Sequence, residues 1–364
     1  MIMRRRANGI RKKANDMRSW ARALTAGLTL CLAFGSAACA GDESPTDSAR
    51  DSATKTEQTK PISVVASINQ WGSLAKQIGG EHVNVTSILS STGVDAHDFE
   101  PKTSDIAKLQ KAQVVVSNGA GYDSWSTKNL ERGVTAISAA QTVGAAEGDN
   151  PHLWFSTDAR NAMAKELANA YSRIMPRQKK YFSNRLAKWT KREDAVEKTM
   201  RQFKSEHGDV PYAATEQVAY YLLSDMGLTD KTPQGYLRST ASGGEPAPKD
   251  LQGFQELLEK RKVDLLVNNT QESSDASNML TGTAHKSDVP VFDVSEQMPA
   301  DSKDLTAWIA SLVESLDTLL DQEEESERSD DGSATKPNAD DADGTNDGDD
   351  SNDADSGGQP DPGK

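Results

Sequence analysis

The chain has 364 residues and a formal net charge of −14, long enough for two domains of ordinary size. The charge is unevenly spread: residues 1–22 carry a net +7 and residues 321–364 a net −13, so residues 23–320 hold only −8, which excludes a broad basic face for nucleic acid. Two cysteines exclude a disulfide scaffold or a structural zinc knot, and the 35% hydrophobic content is low because two polar ends dilute an ordinary globular middle.

Residues 1–38 read as an export signal. Arg4, Arg5, Arg6, Arg11, Lys12, Lys13, Arg18 and Arg22 form a positive leader, Ala23 to Phe34 is apolar, and Ser36-Ala37-Ala38 leads into Cys39. Only 16 residues separate Arg22 from Cys39, short for a membrane span of about 20. The segment resembles a bacterial lipoprotein signal. That resemblance implies cleavage before Cys39, lipid attachment to it, and a location on the extracytoplasmic face of the cell membrane, tethered and not spanning. Cys31 lies in the discarded part, so the mature chain keeps no free thiol for metal ligation. Residues 39–61 have no apolar period and read as a flexible tether. Residues 322–364 read as a disordered acidic tail.

Residues 62–155 predict an N-terminal α/β lobe. Ile62 to Ile68 and Val83 to Leu89 are strands, with a helix over Trp71 to Ile78 between them. Thr103 caps a helix through Leu109, Val114 to Val116 is a buried strand, Asn118-Gly119 turns the chain, and Val134 to Ile137 is a last short strand. Strand, helix and strand at this spacing predict parallel units. Residues 156–206 are charged, amphipathic and free of glycine, which predicts one connecting helix, or two in series, capped by Ser156 or Thr157. Pro176 starts or kinks a helix within it.

Residues 207–321 predict a second α/β lobe. Val210 to Ala214 is a strand, Gln217 to Met226 a helix ended by Gly227, and Leu237 to Thr240 an extended piece. A helix from Asp250 to Lys260, a buried strand Val263 to Val267, a helix over Ala276 to His285 and a strand Val289 to Val294 follow. Asp301 or Ser302 opens a terminal helix to about Leu320. The fold expected is two α/β lobes, joined by a long rigid helix, with a ligand cleft between them outside the carboxyl ends of the strands.

Five histidines are available. His97 follows a strand, in Gly93-Val94-Asp95-Ala96-His97-Asp98-Phe99-Glu100-Pro101, and His152 precedes the long helix between Pro151 and Trp154. Neutral imidazole ligates Zn2+, Mn2+ and Fe2+ well, so both are candidate ligands. His82, His207 and His285 read as exposed or structural. Glu216, after the strand ending at Ala214, is a ligand or a helix cap. Glu296, after the strand ending at Val294, is a ligand or a solvated turn residue.

Taken together, these features resemble the metal-binding solute-binding proteins of ABC importers, the zinc/manganese group called cluster A-I or ZnuA-like, over residues 62 to about 321. The family motif glycine-x-x-x-His-x-x-Glu-Pro matches Gly93 to Pro101 and assigns His97. Its Asp-Pro-His-x-Trp motif matches Asp149 to Trp154 with one inserted residue and assigns His152. Its third motif, an acidic or histidine ligand ahead of an apolar helix ending Gly-Leu, assigns Glu216 ahead of Gly227-Leu228. The fourth ligand is usually Asp after the last strand. Here Ser295-Glu296 stands in that place, with Asp293 as a rival.

The resemblance implies capture of one divalent ion, Zn2+ or Mn2+ with Fe2+ also open, and delivery by a monomeric protein to a membrane permease with its cytoplasmic ATPase. It implies binding and no enzymatic activity, since four protein ligands leave no open position for an activated water. Alternatives are a surface adhesin, a binding lipoprotein for another cargo such as a metal chelate, and a metallohydrolase with Glu100 as base. Zinc-specific relatives resemble a three-histidine arrangement with a His-rich acidic loop. Residues 98–151 contain no histidine, and the Glu at the third position looks like manganese-type members.

Overall fold

The structure is a computed structural model that describes residues 60–94 and 99–333, without the side chains of residues 324 and 326–333. The expected signal, Cys39 and His97 lie outside the described residues.

Two parallel four-stranded sheets form the frame. The first contains β1 (Ile62–Ile68), β2 (Val83–Leu89), β3 (Val114–Ser117) and β4 (Thr135–Ser138), in the order β2-β1-β3-β4. The second contains β5 (Pro211–Ala214), β6 (Thr229–Asp230), β7 (Leu265–Asn269) and β8 (Val291–Val294), in the order β6-β5-β7-β8. The two lobes therefore repeat one topology. Parallel strands are covered on both faces, so they read as apolar runs and not as alternations. Val64, Ala66 and Ile68 of β1 face one core and Val65 the other, and Val114 and Val116 of β3 divide from Val115 in the same way. In the second lobe Tyr212 and Ala214 face the shared core, while Ala213 faces a separate outer cluster with Phe254 and Leu280.

Helices α1 (Asn69–Gly79), α2 (Thr103–Lys111) and α3 (Ala139–Val143) belong to the first lobe. Next come α4 (Thr157–Ile174) and α5 (Lys179–His207), separated by a single 3-10 turn at Pro176–Gln178. These two are antiparallel, since Arg160 near the start of α4 bonds to Glu193 while Tyr171 near its end packs on Phe182 at the start of α5. Of the two arrangements open from sequence, two helices form, and they fold back at Pro176. Proline supplies the first residue of the turn and cannot donate the helical hydrogen bond there. The 29-residue α5, about 43 Å long, then returns the chain to β5. One apolar core runs from α1 and β1 through Trp189, Val196 and Phe203 of α5 to Val267 and Phe292. Among the described residues no helix is long and apolar enough to cross a membrane.

The second lobe adds α6 (Tyr220–Met226), α7 (Gln234–Thr240), α8 (Pro248–Glu259), α9 (Asp275–Lys286) and α10 (Leu305–Ser333). Leu237 to Thr240, expected to be extended, is helical. Tyr236 buries its ring against Phe254 and donates to the carbonyl of Thr215, and this anchor fixes α7. The terminal helix starts later than expected, where Asp304 Oδ1 accepts from Ala307 N at 2.9 Å. It also ends later, at Ser333 and not near Leu320, so residues 322–333 of the expected disordered tail are helical. Glutamate and glutamine sustain a helix, and no glycine or proline interrupts this stretch before Gly332.

Candidate metal centre

The loops at the carboxyl ends of both sheets face one another and bring three candidate ligands together. His152 comes from the first lobe, at the start of the short turn Leu153–Phe155, and is 3% exposed. Its ring is fixed from behind. Asn150 Oδ1 accepts from the His152 backbone N at 3.0 Å and lies 2.8 Å from Nδ1. Asn150 Nδ2 donates to the Gln217 carbonyl at 2.8 Å, so Oδ1 is the accepting atom and Nδ1 carries the proton. The lone pair of Nε2 then points into the cleft, and Nε2 has no hydrogen-bond partner among the described residues.

Glu216 and Glu296 come from the second lobe, after β5 and β8. Residues 215–219 form a turn, and α6 starts only at Tyr220, later than the Gln217 expected. Glu216 is therefore no helix cap: its Oε2 accepts from Asn269 Nδ2 at 2.6 Å. Glu296 is no solvated turn residue either, being 1% exposed. Its backbone carbonyl accepts from Gln70 Nε2 at 2.6 Å, and its Oε2 accepts from Tyr122 Oη at 2.9 Å. Asn69 Nδ2 donates to the Met298 carbonyl at 2.6 Å. The first two residues of α1 thus hold the Glu296 loop of the opposite lobe, which accounts for two buried amides at a helix start.

His152 Nε2 lies 3.6 Å from Glu216 Oε1 and 3.5 Å from Glu296 Oε1. All three ligand atoms lie within 4.8 Å of one another. These N···O separations exceed a hydrogen bond. Two atoms that each bind one ion at about 2.0–2.2 Å, at tetrahedral angles, lie ~3.3–3.6 Å apart, which is the spacing found. One buried and one partly buried carboxylate facing one imidazole edge form a negative cage that a divalent cation neutralises.

Tyr122 sits on the turn after β3. Burial, and then the Glu296 carboxylate, push its phenol well above the usual tyrosine range, so it remains a donor. The turn is held by Asp123, whose carboxylate accepts from Asn118 N at 2.6 Å and Gly119 N at 2.8 Å. Burial raises the Asp123 carboxyl against those bonds.

Of the sequence candidates, His152, Glu216 and Glu296 meet, and His97 lies outside the described residues. Asp293, the rival to Glu296, is exposed on β8 and accepts from Asn268 Nδ2 at 2.8 Å. Among the other histidines, His82 packs on Tyr181, His207 bonds to Asp317, and His285 is exposed. Glu100 is also exposed. Sequence reasoning missed Asn150, Asn269 and Tyr122. Asn150, read there as an insertion, stands directly before Pro151-His152 and performs the orienting role, so the motif aligns on residues 150–154 with no insertion.

Comparisons with known proteins agree with the fold. The family model described as "ZnuA: Zinc-uptake complex component A periplasmic" matches residues 64–319. The metal ABC transporter substrate-binding lipoprotein ScbA of Streptococcus cristatus is 25% identical over 282 residues, covering 72% of this chain and 86% of that protein. The manganese ABC transporter substrate-binding lipoprotein PsaA of Streptococcus pneumoniae is 24% identical over 259 residues, covering 65% and 80%. The periplasmic zinc-binding protein TroA from Treponema pallidum has the same fold, with a TM-score of 0.61 at 16% identity, covering 72% of this chain and 99% of that one. With the family model spanning both lobes and the cleft between them, this chain belongs to the ZnuA family.

Proposed function

We propose that this protein is a lipid-anchored, extracytoplasmic receptor that captures a divalent transition-metal ion, Zn2+ or Mn2+, and hands it to an ABC permease driven by a cytoplasmic ATPase. The observation that carries the reading is the spacing of His152 Nε2, from the first lobe, to two carboxylate oxygens of the second lobe, 3.5 and 3.6 Å. His152, Glu216, Glu296 and His97 make up the ligand set. Support for His97 comes from its motif and from its neighbour Val94, whose carbonyl accepts from Gln271 Nε2 at 2.8 Å. Gln271 Oε1 in turn accepts from Gln297 N, next to Glu296, at 2.9 Å. Two imidazoles and two carboxylates bring a formal charge of −2 to a divalent ion. Because ligands come from both lobes, bound ion ties the lobes together, and a permease can read that state. Cys39 is the lipid attachment site, supported by the leader that precedes it and by the lipoprotein names of the relatives.

Protein expressed from residue 40 onward tests the site. Metal analysis after loading is expected to find about one divalent ion per chain. The double variant His97→Ala/His152→Ala is expected to lose it, and unchanged stoichiometry and affinity in that variant refute the ligand set.

A further inference from the structure

The strands of the first sheet are parallel, so Ile62, Val83, Val114 and Thr135 begin at one edge, opposite the edge that carries the metal cage. Helix α1 returns to that edge, and so does the turn between α4 and α5. Tyr181 Oη accepts from Glu81 N at 3.3 Å, the Tyr181 ring packs on His82, and Arg185 Nε donates to the Gln77 carbonyl at 2.8 Å. The segments gathered there are cationic. Lys60 precedes β1, Lys76 lies in the last turn of α1, and Lys111 and Arg132 come before β3 and β4. Arg177, Lys179 and Lys180 sit on the α4–α5 turn, and all of these side chains are exposed. The carboxylates on the same segments are Glu81 and Glu131. The second lobe repeats the topology but not the charge: around the starts of β5, β7 and β8, Arg261, Lys262 and Lys286 are offset by Asp209, Asp264 and Asp288.

We infer that the amino edge of the first sheet is a docking surface for an anionic lipid bilayer, on which the protein rests with its metal cleft turned away from the lipid. The inference goes beyond the proposed function and takes from it only the location at the outer face of the cell membrane. Two observations select lipid as the partner. The chain enters the fold at Lys60, part of the cationic edge, and the proposed lipid site Cys39 stands 21 residues earlier. This edge is therefore the part of the fold nearest to the anchor along the chain, and tethering makes its contact with the surface an intramolecular event. The cations are also spread over several segments of an edge and not gathered in a pocket, which suits a plane of headgroups. A lipid anchor joined to a basic patch is a pairing that holds a protein stably on a membrane. Without its +7 leader the chain carries −21, so an anionic surface repels the molecule as a whole. At a screening length of about 8 Å, however, the bilayer acts on the groups in contact with it, and at this edge those are cationic. Docked in this way, the loops at the carboxyl ends of the strands stay open to ions in solution. A contact made of exposed charges is readily released when the protein turns to a permease.

The probe is extruded vesicles of equal parts phosphatidylglycerol and phosphatidylcholine, sedimented with the unlipidated protein from residue 40 onward at 50 mM salt. The protein is expected to bind these vesicles and not pure phosphatidylcholine, and to lose at least tenfold in affinity at 300 mM salt. Lys111→Glu/Lys179→Glu/Lys180→Glu is expected to lower the affinity at least tenfold. Lys249→Glu/Lys262→Glu/Lys286→Glu changes the total charge by the same amount on the second lobe and is expected to bind as wild type does. Absence of phosphatidylglycerol-dependent binding by the wild type overturns the inference without any variant. Equal losses in the two triple variants, or none in the first, overturn it as well. Metal uptake is measured on the same samples and is expected to be unchanged in both variants. Lost vesicle binding with intact metal uptake counts against the docking surface alone, whereas a wild type that takes up no metal counts against the proposed function and leaves the vesicle result standing.

Discussion

Asn150 Oδ1 lies 2.8 Å from His152 Nδ1, while the same amide donates to the Gln217 carbonyl at 2.8 Å. One side chain therefore aims a candidate ligand from the first lobe and touches the residue beside Glu216 in the second. An outer hydrogen bond of this kind fixes the tautomer and ring plane of a ligating histidine, and its loss typically costs 10–100-fold in metal affinity. Asn150→Ala is expected to weaken Zn2+ binding by about that factor in competition titrations. Asn150→Asp keeps an acceptor for Nδ1 but sets a carboxylate against the Gln217 carbonyl. It is expected to retain more affinity than alanine and to unfold at a lower temperature than wild type in the absence of metal. Equal affinities for all three proteins would show that Asn150 does not orient the imidazole.

Much of this was legible in the sequence. The two parallel lobes followed from apolar runs such as Val114-Val115-Val116, because a strand buried on both faces has no polar alternation to hide it. His152, Glu216 and Glu296 were open between ligand and structural roles by position alone, and were assigned through the motifs that resemble the family's. What was not legible was tertiary. Leu237 to Thr240 carries no strong local preference, and its helix depends on Tyr236 docking on Phe254. Asn269 lies two residues past the strand expected to end at Val267, and Tyr122 just follows the Asn118-Gly119 turn, with nothing local to mark either. Each acquires a role only when a carboxylate from 53 or 174 residues away arrives beside it.

Metal should stabilise the folded chain, because the unfolded chain has no assembled cage. At free Zn2+ one hundred times the dissociation constant, the gain is about 2.7 kcal/mol. For a fold of this size that corresponds to roughly 5–10 °C in the unfolding midpoint. Scanning calorimetry with Zn2+ and with chelator measures it. His152→Ala is expected to show no such shift at the same Zn2+ concentration, and an equal shift there would mean that the ion binds elsewhere.

Arg160 and Glu193 form a fully buried pair, with Nε to Oε1 at 2.6 Å and both residues 0% exposed. The guanidinium also donates to the carbonyls of Trp154 at 3.1 Å and Phe155 at 2.8 Å, which pins the turn directly after His152. Arg160→Met leaves a buried carboxylate without its cation, and about 3–5 kcal/mol of stability should be lost. The double variant Arg160→Met/Glu193→Leu removes that uncompensated charge and should recover a large part of the loss in urea unfolding. If the single and double variants unfold at the same urea concentration, the cost lies in the lost carbonyl bonds and not in the stranded charge.

Gly119 links the backbone to the cage. Its φ is +80°, and a Cβ there would meet Ser138 Oγ at 2.6 Å and Ala140 Cβ at 2.7 Å. Ser138 accepts from Gln141 N as the cap of α3, so it is not free to swing aside. The left-handed conformation alone costs a non-glycine residue roughly 1–2 kcal/mol. Relief must come from the turn itself, and that turn carries Tyr122, whose backbone N donates to the Gly119 carbonyl at 3.1 Å. Gly119→Ala is therefore expected to lower stability and metal affinity together, since a displaced Tyr122 no longer holds Glu296. Gly133 supplies the comparison: its φ is +95°, but a Cβ there would meet nothing within 4 Å. Gly133→Ala should carry only the backbone strain and leave metal affinity at the wild-type value. A Gly119→Ala protein that binds Zn2+ as tightly as wild type would show that the Tyr122 contact tolerates a shifted turn.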